Sequence, residues 1–276
     1  MPCQSSVAQI VPESSASVQL CVLASGSTGN AILVRTASTA LLVDAGISAK
    51  AMAERLAGVG LAPDQVQAVC LSHEHDDHTR GLAVLSKRYR WPVYANRGTI
   101  EGLHRHPRLR DLPYQVFSTG SPFTVGDLAI EPFPVPHDAF EPVGFALTAP
   151  GGLRIGIATD VGIPTSVIRD RLQGCRLLVV EANHDDELLT QAPRPWHLKQ
   201  RIRGRQGHLS NHTAAAMIAD VAHPGLSHVY LAHLSRDCNR EHLALHAART
   251  LLERRGFGHI RVLPTYPDRV SEIWTG

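Results

Sequence analysis

Short apolar runs recur along the chain, each closed by small or polar residues. Val18–Ala24, Ala31–Arg35 and Ala40–Val43 predict strands joined by small-residue turns. Ala68–Leu71, Pro92–Ala95 and Leu128–Val135 predict three more. Val143–Thr148 and Leu153–Ala158 flank "APGG", a hairpin signal. Leu177–Glu181, Val229–Leu234 and Ile260–Leu263 complete the strands. Between them the period changes. Ala49–Gly58, Gly81–Tyr89, Thr165–Leu172, His212–Ala222 and Arg240–Arg255 have helical character, with Ser210 or Asn211 as N-cap of the fourth. Strands cluster in both halves with helices interleaved, and no short-period repeat is visible. The pattern predicts an α/β (α+β) protein whose sheets are covered by helices.

Composition narrows this picture. A chain of 276 residues with 43% hydrophobic and 19% charged residues can bury a sizeable core. The five cysteines are odd in number and none has CxxC spacing, which disfavours a disulfide framework or a cysteine zinc module. No stretch reaches the ~18 apolar residues of a membrane helix. No positive charge precedes Arg35, so a secretory signal is not expected. Residues 1–17, rich in Ser, Ala and Pro, read as a flexible tail. The expectation is a cytoplasmic protein with no membrane association. A net charge of +2 decides nothing about partners, and no feature sets an oligomeric state.

Histidine is the unusual residue, with 16 copies. "LSHEHDDHTRG" spans Leu71–Gly81 directly after a predicted strand. Where the chain is extended, His73 and His75 share a face, because side chains alternate with period two. If the chain then turns into a helix, Asp77 and His78 come round from the other side. That arrangement suits two neighbouring divalent metals. Three further apolar strands each end near one candidate ligand: His137 in "VPHDAF", Asp160 in "IATDVG" and His233 in "YLAHLS". Rigid strand ends position ligands better than free loops do.

The HxHxDH run at His73–His78, followed by His137, Asp160 and His233, resembles the metallo-β-lactamase superfamily of hydrolases. The likeness runs from about residue 18 onward and implies a single domain over 18–276, an αββα sandwich with a dinuclear site at the sheet edges. It implies that His73, His75 and His137 hold one metal, that Asp77, His78 and His233 hold the other, and that Asp160 bridges them. Asp44 in "LLVDAG" matches a strand-end aspartate that orients such sites. The familiar lactamases place a cysteine at the second metal. Here Asp160 replaces it, which disfavours antibiotic hydrolysis. All-N/O ligands fit Zn²⁺ and tolerate Mn²⁺ or Fe.

"LASGSTGNAILV", "VVEANHDDELL" and "LKQRIRGRQGHLSNHTAA" together are similar to the YycJ/WalJ-like branch. That likeness implies 5′-to-3′ exonuclease action on DNA, in which a hydroxide bridging two metals attacks phosphorus in line. Asp77, Asp160 and His208 are then the catalytic candidates. His184, Asn183 and Ser210 are candidates for substrate contact. Charge adds a partly independent argument. No acidic residue lies between Glu187 and Asp220, a span holding Arg194, Lys199, Arg201, Arg203 and Arg205. A positive surface there suits a nucleic-acid substrate, with Arg201 and Arg203 on its phosphates and Trp196 or His197 stacked on a base. Lys87, Arg88, Arg90, Arg105, Arg108 and Arg110 extend it. "SGSTGN" at Ser25–Asn30 lacks the Gly-Lys-Ser/Thr of a P-loop and reads as a tight turn. Two other readings stay open: a metallo-hydrolase of a small ester, thioester or lactone, and a metal-binding module without catalysis.

Overall fold

The computed structural model describes residues 17–276. The expected tail at 1–17 lies outside the described residues except for its last position. Strands β1 (Gln19–Ala24), β2 (Ala31–Arg35), β3 (Ala40–Val43), β4 (Ala68–Cys70), β5 (Val93–Ala95) and β6 (Tyr114–Val116) form one sheet. Strands β7 (Phe123–Val125), β8 (Leu128–Pro134), β9 (Val143–Thr148), β10 (Arg154–Ala158), β11 (Leu177–Glu181), β12 (His228–Ala232) and β13 (Arg261–Pro264) form the other. The last strand, β14 (Trp274–Thr275), returns to the first sheet and pairs with β1. The orders are β14-β1-β2-β3-β4-β5-β6 and β13-β12-β11-β10-β9-β8-β7. In each sheet an antiparallel part gives way to a parallel one, at β3 and at β10.

The strands read as continuous apolar runs because both faces of each sheet are covered. In β11, Leu177 and Val179 point between the sheets, where they meet Val22, Val34, Val43 and Phe145. Leu178 and Val180 point outward to helices. The helices of the first half are α1 (Ala49–Gly58), α2 (Asp76–Thr79), α3 (Leu82–Tyr89) and α4 (Arg97–Leu103). From these, Met52, Leu56, Leu82, Leu85 and Leu103 cover the outer face of the first sheet. The second half supplies α5 (Ser166–Leu172), α6 (Asp186–Gln191), α7 (Trp196–Arg203), α8 (Asn211–Val221) and α9 (Glu241–Arg254). Ile168, Met217, Ile218, Ala244 and Ala248 pack on the outer face of the second sheet. The result is the expected αββα sandwich.

Six elements carry no signal in the hydrophobic pattern: α4, α6, α7, β6, β7 and β14. The strands among them are three residues or fewer, and ladder pairing with distant segments holds them, as Gln19 holds Thr275. Helix α7 buries none of its side chains, so no apolar stripe marks it. The run Val229–Leu234 is shorter than expected. Its strand stops at Ala232 because His233 adopts a left-handed backbone (φ 55°) and turns out of the ladder.

Candidate metal centre

The site lies where strands of both sheets end. β4 leads into the His73–His78 run, and α2 begins at Asp76, so the sequence changes from extended to helical between His75 and Asp77. β3 leads into Asp44, β8 into His137, β10 into Asp160 and β12 into His233. Glu181 is the last residue of β11. Asp44, Asp160 and His233 all have positive φ, at 65°, 54° and 55°. Asp and His tolerate this region better than most residues, and strained backbone concentrates at functional sites. Here the left-handed turn ends the strand.

All seven sequence-predicted ligands converge. His73, His75 and His137 form one group whose candidate ligand atoms lie within 4.8 Å of one another, and Asp77, His78 and His233 form a second. Asp160 joins both sides: its Oδ2 is 3.1 Å from His78 Nε2, and its Oδ1 is 3.6 Å from His233 Nδ1 and 3.9 Å from His137 Nε2. Asp44 lies behind them. It accepts from Ser72 N (2.8 Å) and Ser72 Oγ (2.9 Å) and sits 2.7 Å from His78 Nδ1. A proton held between Asp44 and Nδ1 leaves the Nε2 lone pair facing Asp160, an acceptor opposite an acceptor. His73 Nε2 is fully buried with no hydrogen-bond partner among the described residues. Inward-facing lone pairs on buried imidazoles and carboxylates are what a divalent cation neutralises, so the donor set fits two such ions.

Electrostatics agree. Burial pushes His73 and His137 below the usual imidazole range, towards the neutral form that ligates metals. Burial opposes ionisation of Asp160, yet His233 and His78 hold its carboxyl well below the usual carboxylate range. Against the same burial, Asp44 and Asp160 raise His78, at the lone pair for which a cation competes.

Glu181 is the residue that sequence reading overlooked. It is fully buried, and its Oε1 lies 2.7 Å from His208 Nδ1 and 3.1 Å from His233 Nδ1. Its Oε2 accepts from Val161 N and Leu209 N. Burial works against its ionisation, but His208 beside it brings the carboxyl down to about 2. The signal that marks Asp160 and His233 was also present here: one polar residue closing the apolar run "LLVV". Asn30 was likewise hidden, in the turn Ser25–Asn30. Its Oδ1 accepts from Gly26 N (2.9 Å), and its Nδ2 is 3.0 Å from His78 Nε2. Ser25 Oγ accepts from His233 N (2.7 Å). Gly29, with φ 152°, is required there, since a Cβ would stand 2.6 Å from Gly46 O. The turn braces the centre and contains no P-loop.

A cavity of about 280 Å³ opens above the ligands. Arg194, Leu198, Arg201 and Ile202 form one wall, with Asn183 and His208 beneath. The other substrate-contact candidates do not line it. Ser210 caps α8 by accepting from Thr213 N, and His184 is buried beside it, joined by a single bridge. Arg203 turns onto α6, where it donates to Asp186 O (2.7 Å) and to the Thr190 hydroxyl. Trp196 is 67% exposed and outside the lining. Asn183 donates to His233 O (3.0 Å), so it steadies a candidate ligand as well as facing the cavity.

Comparison with known proteins follows the same lines. The family model described as the beta-lactamase superfamily domain matches residues 39–234. The exodeoxyribonuclease YycJ of Bacillus anthracis is 39% identical to this chain, over 86% of this chain and 90% of its own. The exodeoxyribonuclease WalJ of Streptococcus pneumoniae is 32% identical, over 91% and 96%. Among solved structures, the metallo-β-lactamase fold protein YhfI from Bacillus subtilis superposes with a TM-score of 0.72 at 17% identity, covering 95% of this chain and all of that one, which is a likeness of fold. The chain belongs to the metallo-β-lactamase-fold branch of the β-lactamase superfamily that includes YycJ and WalJ.

Proposed function

We propose that this chain is a dinuclear metal-dependent phosphodiesterase that acts as a 5′-to-3′ exonuclease on DNA. The observation that carries the reading is the convergence of two three-residue ligand groups on Asp160, in a cavity walled by Arg194 and Arg201. Relatives named as exodeoxyribonucleases over most of the chain support the substrate class. His73, His75 and His137 would hold one cation, Asp77, His78 and His233 the other, and Asp160 both. Zn²⁺ or Mn²⁺ suits this N/O set, and Fe is compatible. Two such ions, when bound, would supply Lewis acidity towards a phosphodiester and would lower the pKa of water towards neutrality.

The chain's own groups do the rest. Arg194 and Arg201 face the cavity, where each can exchange its carboxylate partner, Asp237 or Asp138, for a substrate phosphate. His208 is anchored at Nδ1 by Glu181, and Glu181 raises its pKa against the opposing effect of burial. Glu181 thus favours the protonated imidazole, and His208 can present a proton at Nε2 to the leaving oxygen or to a non-bridging oxygen. The four cysteines among the described residues are buried free thiols, in keeping with a reducing cytoplasm. No helix among the described residues is long and apolar enough to cross a membrane.

The test is turnover of 5′-phosphorylated, end-labelled single- and double-stranded DNA and RNA with Zn²⁺ or Mn²⁺, alongside Asp160→Ala. Metal-dependent release of mononucleotides from the 5′ end of DNA, absent in the variant, is the expected result. No cleavage in any lane, together with turnover of an acyl ester, would replace this reading with the small-molecule hydrolase.

A further inference from the structure

The fold uses its two basic segments differently. On α7 and its flank, four cations already have acceptors. Arg194 pairs with Asp237 and Arg201 with Asp138, while Lys199 donates to Thr190 O and Arg203 to Asp186 O. The charge run that stands out in the sequence is therefore largely engaged in holding α7 in place and lining the cavity.

Residues 80–110 carry eight Lys and Arg against one acid, Glu101. Two of the eight are engaged: Arg80 pairs with Asp76, and Arg110 donates to His104 O. Lys87, Arg88, Arg105 and Arg108 are exposed, and no side-chain hydrogen bond or ion pair engages them among the described residues. Lys87, Arg88 and Arg108 line one open groove of about 480 Å³ with Ala83 and Val84. Lys87 and Arg88 lie in the last turn of α3, where positive charge complements the helix dipole. That accounts for two of the three. Arg108 comes from the segment after α4, and α3 has no need of it.

The same segment also reaches the loop that follows His137. Arg105, three residues before Arg108, places its guanidinium 4.4 Å from the Phe140 ring centroid. Phe140 is three residues beyond His137, and its N–H donates to Glu74 Oε1 (3.1 Å), on the residue between His73 and His75. Cationic side chains of this one segment thus stand both against the loop that follows His137 and beside α3. Unpaired like charges gathered within a Debye length, about 8–10 Å, repel unless a polyanion faces them. A DNA backbone carries one negative charge per ~1.7 Å of duplex axis.

We infer that the groove between α3 and the 104–110 segment is a phosphodiester-backbone site outside the catalytic cavity. It holds the flank of a DNA strand whose end occupies the metal centre. The inference rests on the nuclease reading above.

The test uses the full metal-loaded chain with a labelled DNA duplex bearing a single-stranded 5′ end and phosphorothioate linkages that resist cleavage. Wild type is compared with a Lys87→Gln/Arg88→Gln/Arg108→Gln variant. Affinity should fall about tenfold or more at moderate salt, and the slope of log K against log salt should drop by about 2 to 3. Metal-loaded hydrolysis of bis-p-nitrophenyl phosphate should match wild type, because none of the three lines the catalytic cavity. Equal affinity and slope in the two proteins would overturn the inference. So would unchanged DNA affinity with lost affinity for polyglutamate, which assigns the groove to an acidic protein. DNA binding lost in the variant, with no phosphodiester hydrolysed by wild type, sinks the nuclease reading and supports the groove.

Discussion

Asp160 shows how one residue carries several roles. Its left-handed backbone ends β10, its carboxylate approaches His78, His137 and His233, and it is almost wholly buried. Asp160→Ala should abolish hydrolysis and reduce bound metal by elemental analysis while leaving the circular dichroism spectrum of a folded protein. His75→Ala should behave in the same way. Two measurable metals per chain and retained turnover in either variant would remove that residue from the centre. Glu181 touches both His208 and His233, so Glu181→Gln should lower metal affinity or kcat about 10- to 100-fold. Asp44→Asn should cost metal affinity to a similar degree by releasing His78 Nδ1, as read by competition with a chelator. Wild-type values for both would show that these carboxylates are structural.

At the scale of elements, α8 starts at Ser210, whose Oγ accepts from Thr213 N, so Ser210→Ala should destabilise the protein by about 1 kcal/mol in urea unfolding. The turn between β2 and β3 is tied to the turn between β7 and β8. Asp127 accepts from the hydroxyls of Thr36 and Ser38, and its N–H donates to Thr39 Oγ1. Burial slightly opposes ionisation, but the hydroxyls of Thr39, Ser38 and Thr36 hold the Asp127 carboxyl below the usual aspartate range. A folded pKa lower than the unfolded one contributes stability above the unfolded value, about 3.9, and loses it as pH falls through the folded one. Asp127→Asn should therefore be less stable than wild type near neutrality. Below about pH 4 the gap should narrow in acid unfolding curves. The gap should also be small, since Asp127 is a surface residue. A gap constant with pH would separate this turn from the titration.

For the whole molecule, the candidate metal centre joins the two halves of the chain. Four of its seven ligand candidates follow β4 in the first sheet, and three follow β8, β10 and β12 in the second. Chelation should therefore lower the melting temperature as well as abolish hydrolysis, because ions that bind only the folded chain stabilise it by mass action. Excess Zn²⁺ or Mn²⁺ should restore both. An unchanged melting temperature after removal of two metals would contradict a cation bridge between the sheets.

Much of this is written locally in the chain. Short apolar runs mark eleven of the strands that form the layers, because a strand covered on both faces must be apolar throughout. The HxHxDH run and the residues His137, Asp160 and His233 are legible because ligand chemistry needs those residue types at strand ends. Tertiary structure decided what depends on distant partners. It brought Glu181 under His208 and His233, set Asn30 against His78, and held β14 by pairing with β1. It also sorted the basic residues. Arg203 turns to a helix carbonyl, and Arg108 lines one groove with Lys87, with no carboxylate among the described residues near enough to pair with it. Residue type fixes which interactions a side chain can make, but only the fold decides whether a partner stands within reach.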